Sequence, residues 1–195
     1  MASNEENTPT ECVVLVDNSN IYIEGKKCSA ARKGMVAAPG NVQPHDTSWR
    51  IDFARLLSQL ADGRKIRAAI LVGSRPPPND AVWKMAEQGG FKVITHERDA
   101  VNKEKAVDTE LVAQGTLLIA TTPAPAVLVI ASGDRDFLPL VNVAKTMAWE
   151  VEMAAFSSAF SPAGQMATTV DRVRTLDGSL DLVGHCAPTK YPVTS

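Results

Sequence analysis

Residues 126–137 read AVLVIASGDRDF. The first six are apolar and partly β-branched, the composition of a strand buried on both faces, and the polar SGDRD behind them marks where that strand ends. Similar runs occur at residues 12–16 (CVVLV) and 66–72 (IRAAILV), the second followed by GSRPPP, whose prolines force a loop. Residues 91–95 (FKVIT), behind Gly89-Gly90, and the weaker 151–156 (VEMAAF) complete five predicted strands.

Between these runs the apolar period becomes helical. Residues 49–61 carry Phe53, Leu56, Leu57 and Leu60 at helical spacing and stop at Asp62-Gly63. Asn79 is placed to cap a helix ending at Gly89-Gly90, residues 105–119 align Val107, Leu111 and Leu118, and residues 137–148 tolerate Pro139 in a first turn. Strand–helix alternation with doubly buried strands predicts an α/β chain: a three-layer α/β/α sandwich around a central, mostly parallel sheet of about five strands.

A length of 195 residues suits one domain. The expected organisation is a flexible tail over 1–10, the domain over 11–183 and a second tail over 184–195. Within the domain, residues 24–48 lack sustained periodicity and read as an inserted loop, made basic by Lys26, Lys27, Arg32 and Lys33. With 45% hydrophobic and 22% charged residues, a disordered chain is excluded. The opening MASNEENTPTE has neither a basic nor an apolar leader segment, and no apolar run approaches the ~18 residues of a spanning helix; neither a signal peptide nor a membrane partner is expected. Three scattered cysteines and three isolated histidines give no zinc spacing and suit reduced thiols in a cytoplasmic compartment. A net charge of −2 means that any nucleic-acid contact rests on a local basic patch.

The acids fall at strand ends. Asp17 follows the first predicted strand, and Asp134 and Asp136 follow the fourth. Open α/β sheets bind ligands outside the carboxyl ends of their strands, where strand order reverses. Asp108 adjoins Val107 at the margin of a helical apolar stripe, so its carboxylate is expected to point along the sheet. Carboxylates ~4 Å apart repel by about 4 kcal/mol at an effective dielectric of about 20, so they share protons or a cation neutralises them. Oxygen donors from Asp, with Asn neighbours, select Mg²⁺ or Mn²⁺ over zinc, and such an ion suits phosphodiester hydrolysis. Read singly, Asp17 and Asn18 also suit a turn, and Asp136 an N-cap.

VVLVDNSNIY (13–22), KAVDTEL (105–111) and ASGDRDFLPLV (131–141), followed by WEVEMAAF, resemble in order and spacing the motifs of the NYN family within the PIN-like nucleases, over roughly residues 12–177. The resemblance implies a PIN-like, Rossmann-like sandwich and RNA cleavage dependent on Mg²⁺ or Mn²⁺. Carried over by position, Asp17, Asp108, Asp134 and Asp136 would form the acidic metal centre. Asn20 would orient Asp17 or a water, Ser132 would hydrogen-bond within its motif, and Gly133 would let the backbone turn closely beneath the site. The chain departs from the pattern at Gln114, where many relatives carry another acid, and at Arg135, where the residue is often small.

A phosphate-bearing substrate must approach against this negative charge, so basic residues are expected at the rim. The candidates are Arg75 and Arg98 after the second and third strands, Lys105 a turn before Asp108, and Arg135 inside the acid motif, with Ser132 as a polar contact. Lys26 to Lys33 could close over RNA as a basic flap, whereas Arg64, Lys65 and Arg67 lie at the far end of their strand. Aromatics make up only 5% of the chain; Tyr22 could stack a base, Trp49 better suits the core, and sequence-specific readout is not expected. The reading is a metal-dependent ribonuclease, endonucleolytic on single-stranded RNA, with the number of ions and the acceptance of DNA left open. The alternative is a non-catalytic NYN-type module binding RNA or protein, for which Gln114 speaks. A phosphomonoesterase using Asp17 as nucleophile is disfavoured, because DNSN lacks the second acid such enzymes place two residues on. A homodimer through an exposed sheet edge is compatible with the pattern.

Overall fold

The computed structural model describes residues 10–37, 43–75, 80–97, 103–123 and 126–188, with the backbone alone for residues 75, 97 and 103–106. In chain order the longer elements are β1 (Glu11–Asp17), α1 (Asn18–Arg32), β2 (Trp49–Ile51), α2 (Phe53–Ala61), β3 (Lys65–Arg75), α3 (Ala81–Gln88), β4 (Lys92–Glu97) and α4 (Lys103–Thr121). They continue with β5 (Val127–Ala131), α5 (Leu138–Thr146), β6 (Glu150–Ala155), α6 (Gln165–Thr169), β7 (Arg172–Thr175), α7 (Leu180–Val183) and β8 (Gly184–Cys186). Short 3-10 turns cover Arg135–Phe137, Ser157–Ala159 and Asp177–Ser179.

Six strands form one sheet in the order β4-β3-β1-β5-β6-β7, every pairing parallel. The alternation of side chains along β1 divides the core. Cys12, Val14 and Val16 face a layer built from α1, α2, α3 and α7; Val13 and Leu15 face one built from α4, α5 and α6. The architecture is therefore a three-layer α/β/α sandwich. All five residues of β5 are buried, as a central parallel strand covered on both sides must be. Chain order runs outward from β1 through β3 to β4, then restarts at β5 and runs the other way. Helices after β1 and β5 thus leave toward opposite faces, and the gap between those two strand ends is the crevice of the sheet.

The structure has six main-sheet strands where about five were expected. The extra one, β7, reads RVRT and lies at an edge with largely exposed side chains, so it carries no apolar run to betray it. The first part of the expected 24–48 insertion is helix, because α1 continues to Arg32. Its buried face is Ile21, Glu24, Gly25, Ser29 and Ala30, small or polar apart from Ile21, which hides the helical period. Gly25 is where Trp49 packs: a Cβ there would stand 2.3 Å from the indole Cη2. The same indole lies against Gly184, so the helix expected from Trp49 begins only at Phe53, capped by Asp52, and residues 49–51 pair antiparallel with 184–186. That pairing draws three residues out of the expected C-terminal tail. Asp80 holds the cap position of α3; Asn79 lies outside the described residues. Among the described residues no helix is long and apolar enough to cross a membrane.

The basic flap expected over Lys26 to Lys33 is also absent. These residues lie on α1 and its C-cap, where Lys27 meets Glu24 at 2.7 Å, Arg32 meets Asp181 at 2.6 Å and the capping Lys33 meets Asp46 at 2.6 Å. Burial disfavours the Asp46 carboxylate, but Lys33, Ser29 and Ser48 outweigh it and hold the group well below the usual carboxylate range. Lys26 instead lies over the Tyr22 ring, 3.9 Å from its centroid.

Candidate active site

Asp17 is the last residue of β1 and the N-cap of α1, its Oδ1 accepting the Asn20 N–H at 3.1 Å. This cap explains both the abrupt strand-to-helix turn and the fixed side chain. The carboxylate is 6% exposed, and its other oxygen accepts from Ser132 Oγ at 3.3 Å. Burial pushes its pKa up to about 6, against the lowering effect of the Asn20 and Ser132 hydrogen bonds, and the Asp134 charge adds to the rise.

Ser132 follows β5 and is wholly buried. Its hydroxyl donates to Asp17 and accepts the Asp134 N–H at 3.2 Å, so it ties the two acids together. A substrate contact by Ser132 was expected; burial removes it from that role. Asp134 caps the following 3-10 turn through the Asp136 N–H at 3.0 Å, so the capping expected of Asp136 belongs to Asp134. Asp108 comes from α4 beside Val107, which is buried against the sheet. One carboxylate oxygen each from Asp108, Asp134 and Asp136 lies within 4.8 Å of the others.

Asp108 and Asp134 line a cleft of about 170 Å³ at the β1–β5 crevice, together with Asp17, Asn20, Glu24 and Ser74, and Asp136 stands exposed beside them. The donors are carboxylate oxygens converging from two chain segments, α4 and the turn after β5, and they fit a hard, oxygen-seeking cation. Asp108, Asp134 and Asp136 would hold it, with Asp17 behind them.

The rim is less complete. Arg75 ends β3 next to Ser74 and Lys105 lies in the first turn of α4, but their side chains, like all of Arg98, lie outside the described residues. Arg135 is exposed between the two acids of its turn. Gln114 donates to Glu110 one helical turn back, at 2.8 Å. Arg64 and Arg67 lie at the other end of the sheet, bound to Glu152 and Glu11. Trp49 is core.

Ser74 and Glu24 are among the cleft residues that the sequence reading does not single out. Ser74 sits at the end of β3 among loop-like neighbours. Glu24 stands four residues after Asn20 and seven after Asp17, two turns along one helix face. That spacing was the available signal, lost when α1 was not recognised.

A parallel α/β sandwich with acids gathered at its switch point has the architecture of the PIN-like nuclease fold. The chain belongs to the NYN domain family, whose model matches residues 12–177. NYN domains act on RNA and are typically nucleases dependent on a divalent metal. Among solved structures it is similar to a protein of unknown function from Vibrio parahaemolyticus, with TM-score 0.64 and 14% identity over 95% of this chain and all of that one, a likeness of fold alone. No curated protein matches.

Proposed function

We propose that this protein is a Mg²⁺- or Mn²⁺-dependent ribonuclease that hydrolyses phosphodiester bonds of single-stranded RNA endonucleolytically. The observation that carries the proposal is the convergence of Asp108, Asp134 and Asp136 oxygens within 4.8 Å, beside the buried Asp17, in the crevice where parallel sheets bind ligands. A bound divalent ion supplies Lewis-acid polarisation of the phosphoryl group and lowers the pKa of an attacking water.

The chain's own residues do the rest. Asp108, Asp134 and Asp136 bind the ion. Asp17 sets the negative field behind them and, through Ser132, fixes the backbone N–H of Asp134. Asn20 ties the start of α1 to the acid motif, its Oδ1 accepting weakly from the Gly133 N–H at 3.5 Å. Arg135 is placed to meet the incoming phosphate backbone and offset its repulsion from the acids.

A labelled RNA incubated with Mn²⁺, with EDTA and with Asp134→Asn tests the proposal. Cleavage is expected with Mn²⁺ alone, while chelator-insensitive cleavage or full activity of the variant would refute the metal mechanism. The second reading, a non-catalytic RNA-binding module, draws on Gln114, an amide held by Glu110 where many relatives carry an acid. RNA binding without metal-stimulated cleavage would favour it.

A further inference from the structure

Glu24 is a buried carboxylate in the cleft wall that the proposed chemistry does not use. It is 8% exposed, and its two oxygens have different partners. Oε1 accepts from Lys27 Nζ at 2.7 Å, within α1. Oε2 accepts from Ser158 Oγ at 2.6 Å, across 134 residues of chain.

Ser158 is the middle residue of the 3-10 turn Ser157–Ala159. That turn rests on the acid motif, because a Cβ at Gly133 would stand 2.6 Å from the Ala159 carbonyl oxygen. Contact this close is open only to glycine, and it places the turn directly against the residue preceding Asp134. From the other side Asp177 holds Ser157, accepting its N–H at 2.8 Å and its hydroxyl at 2.7 Å. Two carboxylates from different elements therefore clamp adjacent serines. The clamped turn braces the backbone of Gly133, whose N–H reaches Asn20 one helical turn before Glu24.

We infer that Glu24 is a positioning residue for the metal centre: through Ser158 it presses the 157–159 turn onto Gly133 and so fixes the placement of Asp134 and Asp136. The inference rests on the proposed metal-dependent reading. Glu24 itself need not touch the ion, since both of its oxygens are engaged. Its partner Lys27 cancels its charge, so the clamp adds little negative potential to the cleft. Partners that orient a ligating carboxylate are worth about 10- to 100-fold in metal affinity.

The test measures Mn²⁺ binding, by electron paramagnetic resonance of the free ion, without any turnover. Ser158→Ala removes the hydroxyl that Glu24 accepts and changes no charge; its Mn²⁺ Kd is expected to rise about tenfold, with the fold retained. Ser158→Thr, which keeps the hydroxyl, restores the affinity. Glu24→Ala, made with Lys27→Met so that no ammonium is released into the cleft, reproduces the loss, and adding Ser158→Ala to that pair costs nothing more. Gly133→Ala, which drives the turn away from below, weakens Mn²⁺ binding in the same direction. Wild-type affinity in Ser158→Ala overturns the inference, as does a loss that Ser158→Thr fails to restore or that adds fully to the Glu24 loss. If the wild-type chain binds no Mn²⁺, the metal reading itself fails and the inference falls with it, a result distinct from a wild type that binds and a Ser158→Ala that binds equally well.

Discussion

Each end of the sheet holds a buried carboxylate, and the two are neutralised in opposite ways. At the amino end of the strands Glu152, 1% exposed, meets Arg64 at 2.8 Å, Arg174 at 3.0 Å and Arg172 at 3.2 Å. Burial works to raise its pKa, but the Arg64 hydrogen bond and the charges of Arg174, Arg64 and Arg172 outweigh it, and the group stays below its ordinary value. At the carboxyl end Asp17 is nearly as buried, yet its hydrogen bonds come from neutral donors and a neighbouring acid, Asp134, raises its pKa further. The same chemical group is thus a finished structural element at one end and an uncompensated charge at the other. On the proposed reading, the carboxyl end is the one that takes a cation from outside.

The sharpest way to break this contrast is at the acids themselves. Asp134→Asn is expected to lower Mn²⁺-dependent RNA cleavage on the order of a thousandfold, equivalent to about 4 kcal/mol of transition-state stabilisation, measured as kcat on a labelled oligonucleotide. Glu152→Ala at the other end should leave kcat unchanged below the melting transition. Stability, measured by urea denaturation, should fall by about 3 kcal/mol, because it strands guanidinium groups of which two are largely buried.

A pH titration of apo stability separates the two ends again. The folded pKa of Asp17, about 6, lies above its unfolded value, so the folded state binds the proton more tightly and Asp17 favours folding only once protonated. Its ionisation works against the fold increasingly as pH rises from 4 through 6. Asp17→Asn should therefore stabilise the apo protein by about 3 kcal/mol at pH 8 and by less than about 1 kcal/mol at pH 4, and Mn²⁺ should erase the advantage. Glu152 runs the other way: its stabilisation is present above its unfolded pKa and is lost as pH falls through the depressed folded value. The smallest effect is expected at the rim. Arg135→Ala should weaken RNA binding by about threefold and reduce the salt slope by about 0.7, read by fluorescence anisotropy with Asp134→Asn as the common background.

What could be read from the chain followed burial. β1 and β5 are covered on both faces and are continuous apolar runs, so the strands, their parallel pairing and the acids behind them were all visible. β7 and the β2–β8 pair are short, lie outside the centre of the sheet and hold no such run. The second half of α1 was hidden because its core contact is an indole against Gly25 in place of an apolar stripe. Asp17, Asp134 and Asp136 could be found because strand ends are themselves legible, and Asp108 because Val107 fixed its helical phase. The place of Glu24 on the cleft face follows from its helical spacing, but its bond to Ser158 and the inward turn of Ser132 depend on contacts spanning more than a hundred residues, which local spacing does not encode.

The double duty of Asp17 has a consequence for judging activity across homologous chains. Its side chain caps the first helix as well as lining the cleft, so a descendant that had ceased to cut RNA would still need a capping oxygen there, which Asp or Asn can supply. Asp136 is different: its carboxylate is exposed and accepts no helix N–H among the described residues. Retention of a capping side chain at position 17 is thus a poor witness to turnover, and the fate of Asp136 is the better one.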